Sequence, residues 1–348
     1  MSGKTIALSA SGLCIAAFAC GVERFELLPA AASTAQAPPV ETTPYAGMAR
    51  STSPAALEPL GEIIPDPAGV IVPSNEVPAE PGALVPEEPG CQKIDFLFAI
   101  DNSSSMRDEQ ENLARSFPGF IRVMQQVLKA KDFHVMVVST GGDREDEDDP
   151  ALEPEACEEI QGAGKRSSPD GVDCGIAGGL PFMVNGQADL EGTFSCVAQV
   201  GTDGSAIDEP MDAILAATSA QLNAGGRCNA GFLREDAILV VTLITDEEDR
   251  RSRGSPEDWQ RTLLEVKGGN ADALVVLGLV GDNNLDEGLL GGRCGLTDAD
   301  GAPRLQELVD SLDGVLGSVC AEDYAPFFQT AVGTIDSACS DFVAPILF

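Results

Sequence analysis

Phe96-Leu-Phe-Ala-Ile-Asp101-Asn-Ser103-Ser-Ser105-Met is an apolar run that ends in an aspartate and two alternate serines. Between Ile94 and Ile100 only Asp95 interrupts the apolar residues, which suits a strand covered on both faces. The Asp-x-Ser-x-Ser loop after it suits a hard divalent cation. Magnesium takes octahedral oxygen ligands from one or two carboxylates, with hydroxyls and water completing the shell. Alternate residues of a turning loop can face one point, so Asp101, Ser103 and Ser105 are candidate metal ligands.

Working outward, Gln110 to Lys129 places Leu113, Phe117, Phe120, Ile121, Met124, Val127 and Leu128 at helical spacing, and Phe133 to Ser139 reads as a second strand. Strand, helix and strand with short joints form a βαβ unit with a right-handed crossover. The alternation continues with a helix over 207–222, strand 237–244, helix 256–266, strand 272–280, helix 303–312, a short strand 314–319 and a closing helix 323–339. The expected fold is therefore α/β: a doubly wound, mostly parallel sheet flanked by helices. Residues 141–201 break the rhythm with an acidic run, Gly-rich pieces and three cysteines. They read as a disulfide-pinned insertion with a short edge strand near 180–184. Asp146 to Asp149 lack the ligand spacing of an EF-hand loop and read as a solvated charge run.

Ile238-Leu-Val-Val-Thr-Leu-Ile-Thr245-Asp246 ends in an aspartate just as the first strand does. In doubly wound sheets, sites lie outside the carboxyl ends of the strands at the topological switch point. If the two strands are neighbours, Asp246 reaches the same ion as Asp101. At this point the chain resembles the von Willebrand factor A family, over about residues 92–342. The metal-ion-dependent adhesion site of that family combines Asp-x-Ser-x-Ser with a threonine from a middle loop and an aspartate after the fourth strand. The resemblance implies a hydroxyl ligand from Thr202-Asp-Gly-Ser205, followed by a helix with apolar residues six, nine and ten places later. Counting from Ser205 lands on Met211, Ile214 and Leu215; counting from Thr202 lands on Asp208, Met211 and Asp212, which breaks the apolar face. Ser205 is the preferred ligand and Thr202 the alternative. The ion expected is Mg2+, with Mn2+ or Ca2+ as substitutes.

Glu247, Glu248 and Asp249 follow Asp246 directly and read as a solvated acidic turn paired with Arg250 and Arg251, the alternative being charge added to the ion site or a second bound cation. His134, the single histidine, reads as a packed strand residue, and Trp259 as a packing residue of an amphipathic helix.

Residues 1–19 have the shape of a secretory signal, and Ala17-Phe-Ala-Cys20 allows either lipidation of Cys20 or ordinary signal removal. Residues 20–90 are rich in Pro, Ala, Glu and Ser and read as a disordered tether, leaving 91–348 as the folded domain. Eight cysteines remain there: Cys91, Cys157, Cys174, Cys196, Cys228, Cys294, Cys320 and Cys339. With no Cys-x-x-Cys and one histidine, four disulfides are expected rather than a zinc cluster, Cys91 with Cys339 among them. The chain is thus expected to be exported, as an outer-membrane or cell-surface lipoprotein or else as a periplasmic or secreted protein.

The net charge of -35 argues against nucleic acid as a partner, and a membrane enters only through a lipid anchor. The family resemblance implies a protein ligand whose carboxylate completes the ion's shell. The competing class is a structural envelope protein in which the ion only ties loops together. A hydrolase or phosphoryl-transfer enzyme is not expected: no Gly-x-Ser-x-Gly elbow stands near His134 and no P-loop occurs.

Overall fold

A computed structural model describes residues 91–128, 132–141, 156–204 and 208–345. The signal, Cys20, the tether, Asp146 to Asp149 and Ser205 lie outside the described residues. The strands are β1 (Lys93–Ile100), β2 (Asp132–Ser139), β3 (Met183–Val184), β4 (Ile238–Thr245), β5 (Leu274–Val280) and β6 (Val315–Ser318). They form one sheet in the order β3-β2-β1-β4-β5-β6, parallel throughout except for β3, which pairs antiparallel with β2 at the edge. The doubly wound α/β fold expected from the alternation is present.

Seven α-helices lie among the described residues: α1 (Arg107–Val127), α2 (Leu190–Val197), α3 (Pro210–Ala217), α4 (Ala220–Asn223), α5 (Pro256–Val266), α6 (Pro303–Ser311) and α7 (Ala325–Asp341). The strand period of two divides the core into two layers. Phe96, Phe98 and Ile100 of β1 face α1, α2 and α7, and Leu97 and Ala99 face α3, α5 and α6. On the first side Phe98 meets Phe194 edge to face, with centroids 5.1 Å apart, and Phe120 packs on Phe328 at 4.9 Å. Such pairs add about 0.5–1.5 kcal/mol each beyond the area they bury. On the second side Trp259 is fully buried, its indole N–H donating to Arg253 O at 2.6 Å and the Arg304 guanidinium lying 4.4 Å over its ring.

Two sequence expectations change in detail. The helix expected over 207–222 is two helices, because the Thr218 hydroxyl turns back to Ile214 O and Ser219 caps a new start by accepting from Leu222 N. Within the insertion, α2 forms behind its cap Asp189, and Phe194 and Val197 anchor it to the core.

All eight cysteines of the domain are paired: Cys91–Cys339, Cys157–Cys228, Cys174–Cys196 and Cys294–Cys320. The first ties the start of β1 to the end of α7, as expected. The next two hold the insertion, and the last joins the loops after β5 and β6. Buried charge at the opposite end of the sheet is also paired. Arg234 binds Asp95 at 2.8 Å and Asp132 at 2.8 Å. His134 Nδ1 donates to Phe232 O at 2.9 Å with its ring against Phe182, so this histidine is a packing residue.

Candidate metal centre

β1 and β4 lie side by side, and the chain runs to β2 on one side and β5 on the other, so the switch point falls between them. Their carboxyl ends deliver Asp101 and Asp246 to the same place. Asp101 N still donates to Ile244 O at 3.0 Å, which carries the ladder one residue past the strand and fixes the aspartate backbone. Its carboxylate is then held at both oxygens: Ser103 N donates to Oδ1 at 2.7 Å, and the Thr245 hydroxyl donates to Oδ2 at 2.6 Å. The Ser103 and Ser105 hydroxyls stand 3.1 Å apart. Ser103 is buried and Ser105 is exposed, so the cluster opens to solvent on the Ser105 side.

Gln110, on the first turns of α1, ties the middle loop to this cluster. Its amide donates to Asp101 O at 2.9 Å and to Gly201 O at 2.8 Å. Gly204 N donates to Asn102 O at 3.0 Å, and a Cβ on Gly204 would stand only 2.2 Å from Asn102 Oδ1, so a larger residue there would have to displace the Asn102 side chain. The Thr202 hydroxyl accepts from the Arg107 guanidinium at 3.3 Å. The structure thus brings Asp101, Ser103, Ser105 and Asp246 together and places the Thr202–Gly204 loop beside them.

Asp208 is the residue that sequence reasoning passed over as a break in an apolar face. It is 4% exposed, and Thr140 at the end of β2 donates to its Oδ1 at 2.5 Å. Its carboxyl shares a hydrogen-bond contact with that of Asp101 and is pushed up to about 8, chiefly by burial and then by the Asp101 charge. Asp246 is also raised by burial, with the Ser105 hydroxyl partly offsetting this and Asp101 adding to it. Glu247 is raised by burial and by the charges of Asp101 and Asp246.

The expected solvated turn at Glu247 to Asp249 is corrected. Asp249 is fully buried and accepts from Met211 N at 3.0 Å and Ser252 N at 2.9 Å, so it fastens α3 to the loop after β4. Arg250 pairs with Asp300, and Glu248 accepts from Arg304 N.

These residues fit a hard divalent cation. Asp246 Oδ1 is buried without a hydrogen-bond partner, and the Asp208 carboxyl is held against that of Asp101. A buried carboxylate oxygen left unpaired is costly, and a cation between the acids would remove both the desolvation and the repulsion. Among the described residues no three Asp, Glu, His or Cys groups converge tightly enough to hold a metal alone. The shell would therefore need the serine hydroxyls and water, as is usual for Mg2+.

Protons and a cation would compete at Asp208. Below about pH 8 metal uptake must expel its proton, so Mg2+ affinity should rise up to about tenfold per pH unit from 6 to 8 and level off above. Without metal the sign reverses: the unfolded chain releases this proton near its ordinary carboxylate value, so the fold should lose stability as pH climbs toward 8. Mg2+ titrations from pH 6 to 9, with melts in chelator alongside, would show both slopes; a flat affinity profile would remove Asp208 from the site.

No family model and no curated protein matches the chain. Among solved structures it is similar to proximal thread matrix protein 1 of the mussel byssus, at 13% identity over 72% of this chain and 49% of that one, TM-score 0.36. One structure of that protein has a zinc-occupied MIDAS motif. It is also similar to a von Willebrand factor type A protein from Catenulispora acidiphila, at 16% identity over 70% and 43%, TM-score 0.35. A third is manganese-loaded TRAP protein of Plasmodium vivax, at 12% identity over 71% and 74%, TM-score 0.32. The chain spans about half the length of the first two. At these scores the likeness adds no argument about the site, which rests on its own geometry.

Proposed function

We propose that this chain is a divalent-cation-dependent protein-binding module, exported and held at the cell envelope through Cys20 and the 20–90 tether. The observation that carries the reading is the buried meeting of Asp101 and Asp246 at the switch point, with an unpaired Asp246 carboxylate oxygen and an exposed Ser105 hydroxyl on the open side. A cation held there by Asp101, Ser103, Ser105, Asp246 and a hydroxyl of the middle loop, Ser205 first, keeps a solvent-facing position. A partner's carboxylate completes it and gains Coulomb attraction in a partly dehydrated site. Mg2+ suits the oxygen donor set, and Mn2+ or Ca2+ can replace it.

Two further features support this reading. Four disulfides are the mark of an oxidising compartment. Catalysis finds little support, because His134 opens β2 about 20 Å of strand away from the switch-point end and is spent on Phe232 O. Among the described residues no helix is long and apolar enough to cross a membrane.

The test is a pull-down from envelope extract with the full chain in Mg2+, in chelator, and as Asp246→Ala. A partner captured only by the wild type in Mg2+ is expected. If chelator lowers the melting temperature and yet no ion-dependent partner appears, the ion serves only to tie loops together and the binding reading falls.

A further inference from the structure

Building on the binding reading above, we propose that the insertion supplies a second recognition point beside the ion, with Lys165 receiving another acidic group of the same partner. The insertion turns a short hairpin over residues 166–174. Cys174 N donates to Arg166 O at 2.9 Å, Ser168 N donates to Val172 O at 2.9 Å, and the tip turns through Gly171 at φ 74°. The Cys174–Cys196 bridge fastens one arm to α2, and Lys165 N donates to Val137 O at 2.8 Å, which hangs the other arm on β2. The tip reaches the middle loop of the metal centre: a Cβ on Gly201 would stand 3.3 Å from Pro169 Cγ.

Between the hairpin and the metal loops lies a cavity of about 350 Å³, walled by Asn102, Gly201 and Gly204 on one side and by Glu158, Lys165 and Ser167 on the other. Asn102 and Gly204 are hydrogen-bonded to each other, and Asn102 directly follows Asp101, so the cavity adjoins the loops that carry the candidate ligands. An extended peptide advances roughly 3.3 Å per residue, so peptides with zero, one or two residues between their acidic side chains sample separations of about 3 to 10 Å between the two points.

The charges decide what that side chain is. Lys165 Nζ is half-buried and donates to Glu158 O at 2.6 Å, a neutral carbonyl. Among the described residues no carboxylate lies within ion-pair distance of it. The Glu158 carboxylate is engaged by the Ser167 hydroxyl at 2.5 Å, by Arg166 N at 3.2 Å and by Arg166 Nε at 3.5 Å. The other acid on the rim, Asp203, is exposed and solvated. Lys165 is thus a partly desolvated ammonium with one hydrogen-bond acceptor beside a polar cavity, and burial holds its pKa below the usual lysine value although the nearby Glu158 and Glu159 charges partly offset this. A carboxylate placed there restores the lost solvation. The chain's net charge of -35 opposes an acidic partner only weakly, because charges beyond about 8 Å are screened in physiological salt.

The experiment uses the full chain in Mg2+ and three families of acetylated, amidated peptides, read by calorimetry. Each carries one aspartate followed, after zero, one or two glycines, by a second aspartate, an asparagine or a lysine. The two-aspartate peptide is expected to bind about fivefold tighter than its asparagine counterpart at one spacing, the size of a partly exposed ion pair. Lys165→Met should erase that preference, Lys165→Arg should keep it, and both should bind Mg2+ as the wild type does. A preference that survives in Lys165→Met, or asparagine and lysine peptides that bind the wild type as well as the two-aspartate peptide, overturns the inference while leaving the metal reading standing. If Mg2+ binds and no peptide does, the reading that a carboxylate completes the ion falls, and the inference falls with it.

Discussion

Asp101→Asn is expected to lower Mg2+ affinity by at least about 100-fold, since altering even the outer groups that orient metal ligands costs about 10- to 100-fold. The substitution is nearly isosteric. Its remaining oxygen can still accept from Ser103 N, and the Thr245 hydroxyl, which now donates to Asp101 Oδ2, can turn toward Glu247 O at 3.4 Å. What is lost is the charge at the centre of the site. Losing it also relieves the repulsion with Asp246, and with Asp208 above about pH 8, so the metal-free variant should melt at or above the wild-type temperature there. The pH dependence of metal-free stability should flatten as well, because the Asp101 charge is part of what raises Asp208. Calorimetric Mg2+ titration paired with melts in chelator separates the two effects. An affinity within twofold of wild type would remove Asp101 from the ion's surroundings.

The second large effect concerns Cys91–Cys339, which spans a sequence separation of 248 and closes β1 onto the end of α7. The bridges inside that loop shorten its effective length to about 150 residues, for which chain entropy alone gives about 5 kcal/mol. Cys91→Ala with Cys339→Ala should therefore cost the fold about that much in guanidinium unfolding. Cys91 is buried in the α1/α7 layer and its N–H donates to Cys339 O at 3.0 Å, so the ends stay adjacent without the covalent bond and the variant should still fold. A loss under about 1 kcal/mol would mean that the unfolded chain is already confined by the other three bridges.

Much of this fold was legible because the informative signals are local. The short, largely apolar runs at 94–100, 237–244 and 272–280 read as strands buried on both faces through their length and their β-branched residues, and the helices between them show their apolar faces at helical spacing. The thiols were legible by parity, since eight cysteines without a zinc pattern imply bridges. Details set by a single hydroxyl were not legible. Thr218 turning onto Ile214 O splits one expected helix into α3 and α4, and no periodicity reports that choice.

The candidate site divides the same way. Asp101 and Asp246 were legible as candidates because each follows the last residue of a buried strand, a position that sequence alone identifies. Asp208 was missed because its importance comes from contact with Asp101 and Thr140, which arrive from two other strands. Asp249 was misread for a related reason: an acidic run looks solvated until a helix start, here Met211 N, descends on one of its members.

By itself, the sequence determined the order and type of the elements, the two aspartates at strand ends, the serine pair and the presence of bridges, because each depends on neighbours a few residues away. The tertiary structure decided which strands are adjacent, and so that Asp101 and Asp246 meet. It also decided which cysteines pair, that Asp208 joins the acids, and that the insertion hairpin walls a cavity beside them. Those outcomes depend on crossovers that bring residues more than a hundred positions apart into one low-dielectric place, where burial sets their charge and an unpaired oxygen or ammonium acquires its chemical meaning.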